Sequence, residues 1–111
     1  MLTVVFTSRF EDQAARVFSV EELDDLVTFL AEHPDAGDIV PGTGGVRKVR
    51  WHARGHGKRG GARVIYYYMK PVRPLFLLNA YAKNEKQDLT SQDKAQLRSI
   101  AEAIARSFKP D

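Results

Sequence analysis

Three strand-like segments crowd the second half of this chain: Val46–Ala53, Ala62–Met69 and Leu75–Ala82. β-branched and aromatic residues fill each one, as pleated, half-buried backbone favours. The connection Lys70-Pro71-Val72-Arg73-Pro74 is too short for a crossover, so the last two segments are predicted to run antiparallel. The other connection, Arg54-Gly55-His56-Gly57-Lys58-Arg59-Gly60-Gly61, reads as a flexible basic hairpin tip. An antiparallel meander is therefore the expected centre of the fold, and the remaining elements must pack against it.

Residues 2–7, Leu-Thr-Val-Val-Phe-Thr, predict a first strand, and Phe10 to about Phe18 a short helix. Ser19 and Glu22 have capping-box spacing. Leu23, Leu26, Val27 and Leu30 then lie on one helical face, and Pro34 stops that helix near His33. Thr90 or Ser91 caps a last helix, whose apolar stripe is Leu97, Ile100, Ala101, Ile104 and Phe108. The expected order is β-α-α-β-β-β-α, an α+β domain with helices grouped around an antiparallel sheet. At 111 residues the chain is expected to form a single domain, 1–111. It shows neither a signal-peptide pattern nor an apolar run of membrane-spanning length, so a cytoplasmic location with no membrane partner is expected. Without cysteine there is no disulfide, thiolate metal site or cysteine nucleophile.

Charge is sharply segregated. Ten of the 17 Lys and Arg lie between Ile39 and Asn84, and none of the 14 acids does. The middle thus carries +10 against −7 for the flanks, within a net charge of +3. Such a division points to a polyanion-binding middle.

Strand alternation sorts those cations. Val49 and Trp51 are taken to face the core with Arg47 on their side, which leaves Lys48, Arg50 and His52 on the opposite face. Arg63, Ile65 and Tyr67 share one face of the next strand, and Val64, Tyr66 and Tyr68 the other. Asn79, Tyr81 and Lys83 share a face of the third. Cations on such a sheet suit phosphates, and tyrosines among them can stack on unpaired bases. His52 and His56 are weaker acid–base candidates, since no carboxylate is near them in sequence. The acid-free middle argues against a carboxylate-bound metal, and no zinc-like spacing occurs. Gly55-His56-Gly57-Lys58-Arg59-Gly60 matches the dinucleotide pattern G-x-G-x-x-G, but it joins two strands rather than a strand to a helix. Lys58 and Arg59 are instead expected to touch phosphates.

Three motifs in order carry a family resemblance. They are Gly42-Thr43-Gly44-Gly45-Val46-Arg47-Lys48-Val49-Arg50, then Gly57-Lys58-Arg59-Gly60-Gly61-Ala62-Arg63-Val64-Ile65-Tyr66-Tyr67, then Tyr81-Ala82-Lys83-Asn84-Glu85. From about residue 3 to 105 the chain resembles a HigB-type toxin of the RelE/ParE superfamily. The resemblance implies the small microbial RNase fold and the toxin half of a type II toxin–antitoxin system. It implies an mRNA endoribonuclease acting in the ribosomal A site, without metal or cofactor. Its partners are then mRNA, the ribosome and a cognate helix-turn-helix antitoxin.

The implied catalytic set is Lys48, Arg50, Arg63 and Lys83. Arg63 clamps the scissile phosphate, Lys48 or Arg50 orients the mRNA, and Lys83 assists the leaving oxygen. Lys48 is the candidate base, a role that needs neighbouring cations to favour the neutral amine. The implied RNA-binding set is Arg47, Lys58, Arg59, Tyr66, Tyr68 and Tyr81. Some relatives carry an arginine just after the last strand and a tyrosine in the tail; here Asn84 stands at the first place and no tyrosine follows Tyr81. The alternatives are a ParE-like toxin that binds gyrase without cutting RNA, and a noncatalytic RNA- or ribosome-binding module.

Overall fold

A computed structural model describes residues 2–69 and 73–108. Lys70, Pro71 and Val72 lie outside the described residues, so the expected turn there is not described further. Strand β1 (Val4–Phe6) leads into α1 (Ser8–Val17) and α2 (Val20–Glu32). A two-residue strand β2 (Asp38–Ile39) precedes β3 (Val46–Trp51), β4 (Ala62–Tyr68), β5 (Leu75–Ala82) and α3 (Ser91–Ser107). The five strands lie side by side in the order β1-β5-β4-β3-β2.

The α+β class and the element order agree with the sequence reading, with two differences. First, the sheet is mixed: β3, β4 and β5 form the expected antiparallel meander, but β1 pairs parallel to β5. Parallel neighbours need a long crossover, and here everything from α1 to β4 supplies it. Second, the expected order has no strand at Asp38–Ile39, where β2 forms. Its two residues pair with Lys48 and Arg47, and too few residues alternate there to leave a periodic signal.

The helices start where side chains cap them. Thr7 accepts a hydrogen bond from the Phe10 amide, which begins α1 two residues before the expected Phe10. Ser19 and Glu22 form a complete capping box on α2, and Thr90 and Asp93 do the same on α3. Burial follows the stripes: Leu26 and Leu30 are fully buried under α2, and Leu97 and Ala101 are buried under α3.

The sheet therefore carries a core on each face. On one face α1 and α2 cover Phe10, Val64, Tyr66, Leu75, Leu77 and Ala80. On the other, α3 covers Val46, Ile65, Tyr67, Leu78 and Tyr81. Pairing skips Leu78, a bulge that brings Leu78 and Asn79 onto the same face, with Asn79 opposite Ile65. Gly37 is required by close approach, since a Cβ there would sit 2.8 Å from the Tyr66 hydroxyl and 2.9 Å from the Lys48 carbonyl. Gly61 has φ +69°, and a Cβ would meet the Trp51 carbonyl at 2.7 Å, so the entry to β4 tolerates only glycine.

Candidate nucleic-acid interface

Register brings the cations of separate strands together. Arg50 on β3 lies directly opposite Arg63 on β4, and Arg63 lies directly opposite Tyr81 on β5. Adjacent strands are about 4.8 Å apart, so these three side chains form one row across the centre of the sheet. One step along, Lys48 lies opposite Ile65, which lies opposite Asn79. The row opens onto a depression of ≈ 390 Å³ lined by Arg50, Trp51, His52, Gly60, Gly61 and Arg63. Arg63 donates to the Gly60 and Ala62 carbonyls at 3.4 and 3.2 Å, while Arg50 is solvent-exposed.

The basic tip between β3 and β4 contains a short helical turn. Arg54–His56 form a single 3₁₀ turn that ends at Gly57 in the left-handed conformation. Glu22, in the first turn of α2, anchors it. One carboxylate oxygen accepts from the Ser19 amide at 2.9 Å and the other from the Gly55 amide at 3.1 Å. Burial raises the Glu22 pKa, but these backbone hydrogen bonds outweigh it, and the net shift is downward. Trp51 ties β3 to the same helix through its indole N–H, which donates to the Glu22 carbonyl at 3.0 Å.

The segment after β5 supplies carboxylates that the strands lack. Asp88 Oδ1 lies 3.3 Å from Lys48 Nζ, and Glu85 Oε1 lies 3.5 Å from Lys58 Nζ. Lys83 donates to the Gln87 carbonyl. The Leu89 amide and Lys48, with Lys83 nearby, hold the Asp88 carboxyl below its usual range. Both acids lie just beyond Asn84, so the acid-free stretch gave no sign of them; only the chain's return over β5 shows them facing the cations. Among the described residues, three of the cationic candidates, Lys48, Lys58 and Lys83, thus meet partners within the chain.

The expected RNA contacts divide. Lys48, Arg50, Arg63, Tyr81 and Lys83 gather on or beside one face, and Lys58 and Arg59 sit on the adjoining tip. Tyr66 does not stack on a base. It is 0% exposed, its hydroxyl donates to the Pro34 carbonyl at 2.8 Å, and it accepts from the Gly37 amide at 2.8 Å. Tyr68 also lies away from the cations, packed against the α1/α2 core. The physical reason is alternation: even positions of β4 face α1 and α2, and odd ones face the side that carries the cations and α3. Arg47 likewise lies on the α2 side, where its guanidinium donates to the Asp35 and Gly37 carbonyls at 3.2 and 2.7 Å. His52 stacks on Trp51 at 5.0 Å, and His56 lies in the 3₁₀ turn, so the two histidines form no pair.

Tyr81 is only 9% exposed, and its hydroxyl is buried without a hydrogen-bond partner. Burial pushes that hydroxyl above its ordinary value. Asp88 and Asp93 add to the rise, and Arg63 opposes it.

A family model described as the RelE toxin of the RelE/RelB toxin-antitoxin system matches residues 5–109. This chain belongs to the RelE toxin family. Among solved structures, the E. coli toxin RelE in its free state, carrying two arginine-to-alanine substitutions, aligns with a TM-score of 0.56. The alignment covers 78% of this chain and 87% of that one at 16% identity, a likeness of fold. As a RelE-family toxin the chain has an antitoxin as its implied partner. Among the described residues no helix is long and apolar enough to cross a membrane.

Proposed function

We propose that this RelE-family toxin is a metal-independent mRNA endoribonuclease of the HigB type. It acts on mRNA in the ribosomal A site and is silenced by a helix-turn-helix antitoxin. One observation carries the catalytic reading. Arg50 and Arg63 stand directly opposite one another on the two central strands, at the edge of an open depression. Like charges directly opposite on a sheet are destabilising. A bound phosphate relieves that repulsion and accepts from both guanidinium forks.

In this reading Arg63, half-buried and steadied by the Gly60 and Ala62 carbonyls, clamps the scissile phosphate. Arg50 and Lys48 orient the strand. Lys48 can act as base only as the neutral amine, so it must first part from Asp88; it then takes the proton of the 2′-hydroxyl, which attacks phosphorus. The P–O5′ bond breaks, and Lys83 donates a proton to the departing 5′-oxygen. The products are a 2′,3′-cyclic phosphate and a 5′-hydroxyl end. Cations placed where charge develops supply the stabilisation. Lys58 and Arg59 contact flanking phosphates from the tip. The shared location of mRNA and ribosome makes the cytoplasm the site of action.

The test is growth after induction in a host lacking the antitoxin, wild type against Arg63→Ala, with RNA ends mapped in both. Arrest with new breaks inside codons, absent in the variant, is expected. Arrest without breaks would replace this reading with gyrase binding. No arrest would leave a noncatalytic binding module.

A further inference from the structure

A second, more enclosed pocket of ≈ 110 Å³ lies where α1 and α3 approach each other over β5. The proposed chemistry at Arg50 and Arg63 does not use it. Its polar lining includes Gln13, Asn79 and Gln96, and its apolar walls are Leu89, Leu97 and Ile100. Three features mark it as built for a ligand.

The first is unspent hydrogen-bonding capacity. Among the described residues, no hydrogen bond involves the side chain of Asn79, which is half-buried; Gln96 also has no partner in the chain, but it is exposed to solvent at the mouth. Gln13 uses only its carbonyl, which accepts from the Ala80 amide at 2.9 Å. Each amide side chain offers a donor and an acceptor, the pattern that the edge of a nucleobase needs. The second feature is Tyr81. It lines this pocket, it is 91% buried by its 9% exposure, and its hydroxyl has no partner. A buried polar group without a partner costs free energy, so such a group calls for a role. The third is shape and place. A cavity of about 150 Å³ holds one benzene ring; at ≈ 110 Å³ this pocket is smaller, so a single six-membered ring enters in part with the remainder in the open mouth, and a purine has no room. Tyr81 is also the direct cross-strand neighbour of Arg63, so the pocket adjoins the cationic row. Ile100, 37% exposed although it lies on the apolar stripe of α3, forms part of the wall.

We infer that this pocket receives one pyrimidine base of single-stranded RNA, held by the Asn79 and Gln96 amides and the Tyr81 hydroxyl between apolar walls. The inference rests on the RNase reading above and adds base selectivity to it. The Tyr81 hydroxyl donates to the 2-carbonyl oxygen that cytosine and uracil share. Asn79 and Gln96 meet the Watson–Crick edge, and Arg9 and Lys86 at the rim lie within reach of flanking phosphates. The Lys86–Asp93 ion pair at 2.7 Å fixes one side of the mouth.

The experiment is an NMR titration of the free, isotope-labelled chain with cytidine, uridine, adenosine, inosine and inorganic phosphate. Nucleosides exclude attraction of a phosphate to Arg50 and Arg63. Cytidine and uridine are expected to shift the side-chain amide resonances of Asn79 and Gln96 at millimolar concentration. Adenosine and inosine should do so several-fold more weakly, and phosphate not at all. Tyr81→Phe is expected to weaken cytidine binding about tenfold while leaving Tm unchanged or raised, because it deletes an unsatisfied hydroxyl. No shift with any nucleoside overturns the inference, and so do equal shifts with all four. A fall in Tm of several degrees for Tyr81→Phe also overturns it, since the hydroxyl would then have a partner in the free chain. None of these readouts depends on RNA cleavage. Cleaved mRNA without nucleoside binding removes the pocket alone, and nucleoside binding without cleavage removes the RNase reading alone.

Discussion

Tyr66 and Tyr81 sit on neighbouring central strands, both buried, yet on opposite faces of the sheet and in opposite states. Tyr66 faces the helices and spends its hydroxyl on two backbone partners at 2.8 Å each. Tyr81 faces the cationic side and spends its hydroxyl on nothing. The same contrast separates the arginines. Arg47, on the helix side, holds the carbonyls of Asp35 and Gly37, while Arg50 on the other side is exposed and faces Arg63. On the helix side the Tyr66 hydroxyl and the end of the Arg47 fork are held by backbone, although the buried Arg47 Nε has no partner; on the other side the Tyr81 hydroxyl has none, while Lys48 and Lys83 meet Asp88 and the Gln87 carbonyl. Polar residues that satisfy one another stabilise a structure, and polar residues left over invite a ligand.

The sharpest way to break this division is Arg63→Ala. Cleavage should fall by about 100-fold or more, as loss of one charge-stabilising group does, with Tm close to wild type. A parallel collapse in Tm would make Arg63 a structural residue and erase the contrast. On the opposite face, Tyr66→Phe should cost about 2–3 kcal/mol in denaturant unfolding, because the Gly37 amide and Pro34 carbonyl lose their buried partner. The folded fraction of that variant should bind RNA as wild type does.

Salt sharpens the comparison further. If Lys48, Arg50, Arg63 and Lys83 each neutralise a phosphate of single-stranded RNA, log K should fall against log salt with a slope near −3, about sixtyfold between 50 and 200 mM. Arg47→Ala should leave that slope unchanged, and a shallower slope would place Arg47 on the RNA. The smallest effect concerns acid. Asp93, held by Lys86 and by the Thr90 cap, has its pKa lowered to about 2. A depressed carboxyl contributes stability above its unfolded value and loses it as pH falls through the folded one. Unfolding free energy should therefore decline from about pH 4 toward pH 2, with about 1 kcal/mol from this partly exposed group. Asp93→Asn should remove that part of the decline, and an unchanged acid profile would show that the cap is independent of charge.

The helices and strands were legible because capping and alternation are local. The Ser19–Glu22 box starts α2 where its spacing predicts, and Leu75–Ala82 forms β5 with the bounds its composition predicts. That Lys48 shares a face with Arg50 also followed from alternation; that Arg63 joins them did not, because it depends on the register between β3 and β4. What escaped was any contact between distant stretches. Nothing in Ala53–Gly61 announces that Glu22 will anchor it, and nothing near Lys48 announces Asp88. Among three consecutive tyrosines, composition cannot say which ring reaches back to Pro34 and Gly37.

The sequence by itself determined the class of fold, the acid-free basic middle and which residues share a face within each central strand, because each depends on residues close together along the chain. The tertiary structure alone decided the parallel pairing of β1 with β5, the opposition of Arg50 to Arg63, and the pocket between α1 and α3. Those depend on register and on loops that close over tens of residues, where a shift of one position would send every side chain to the other face.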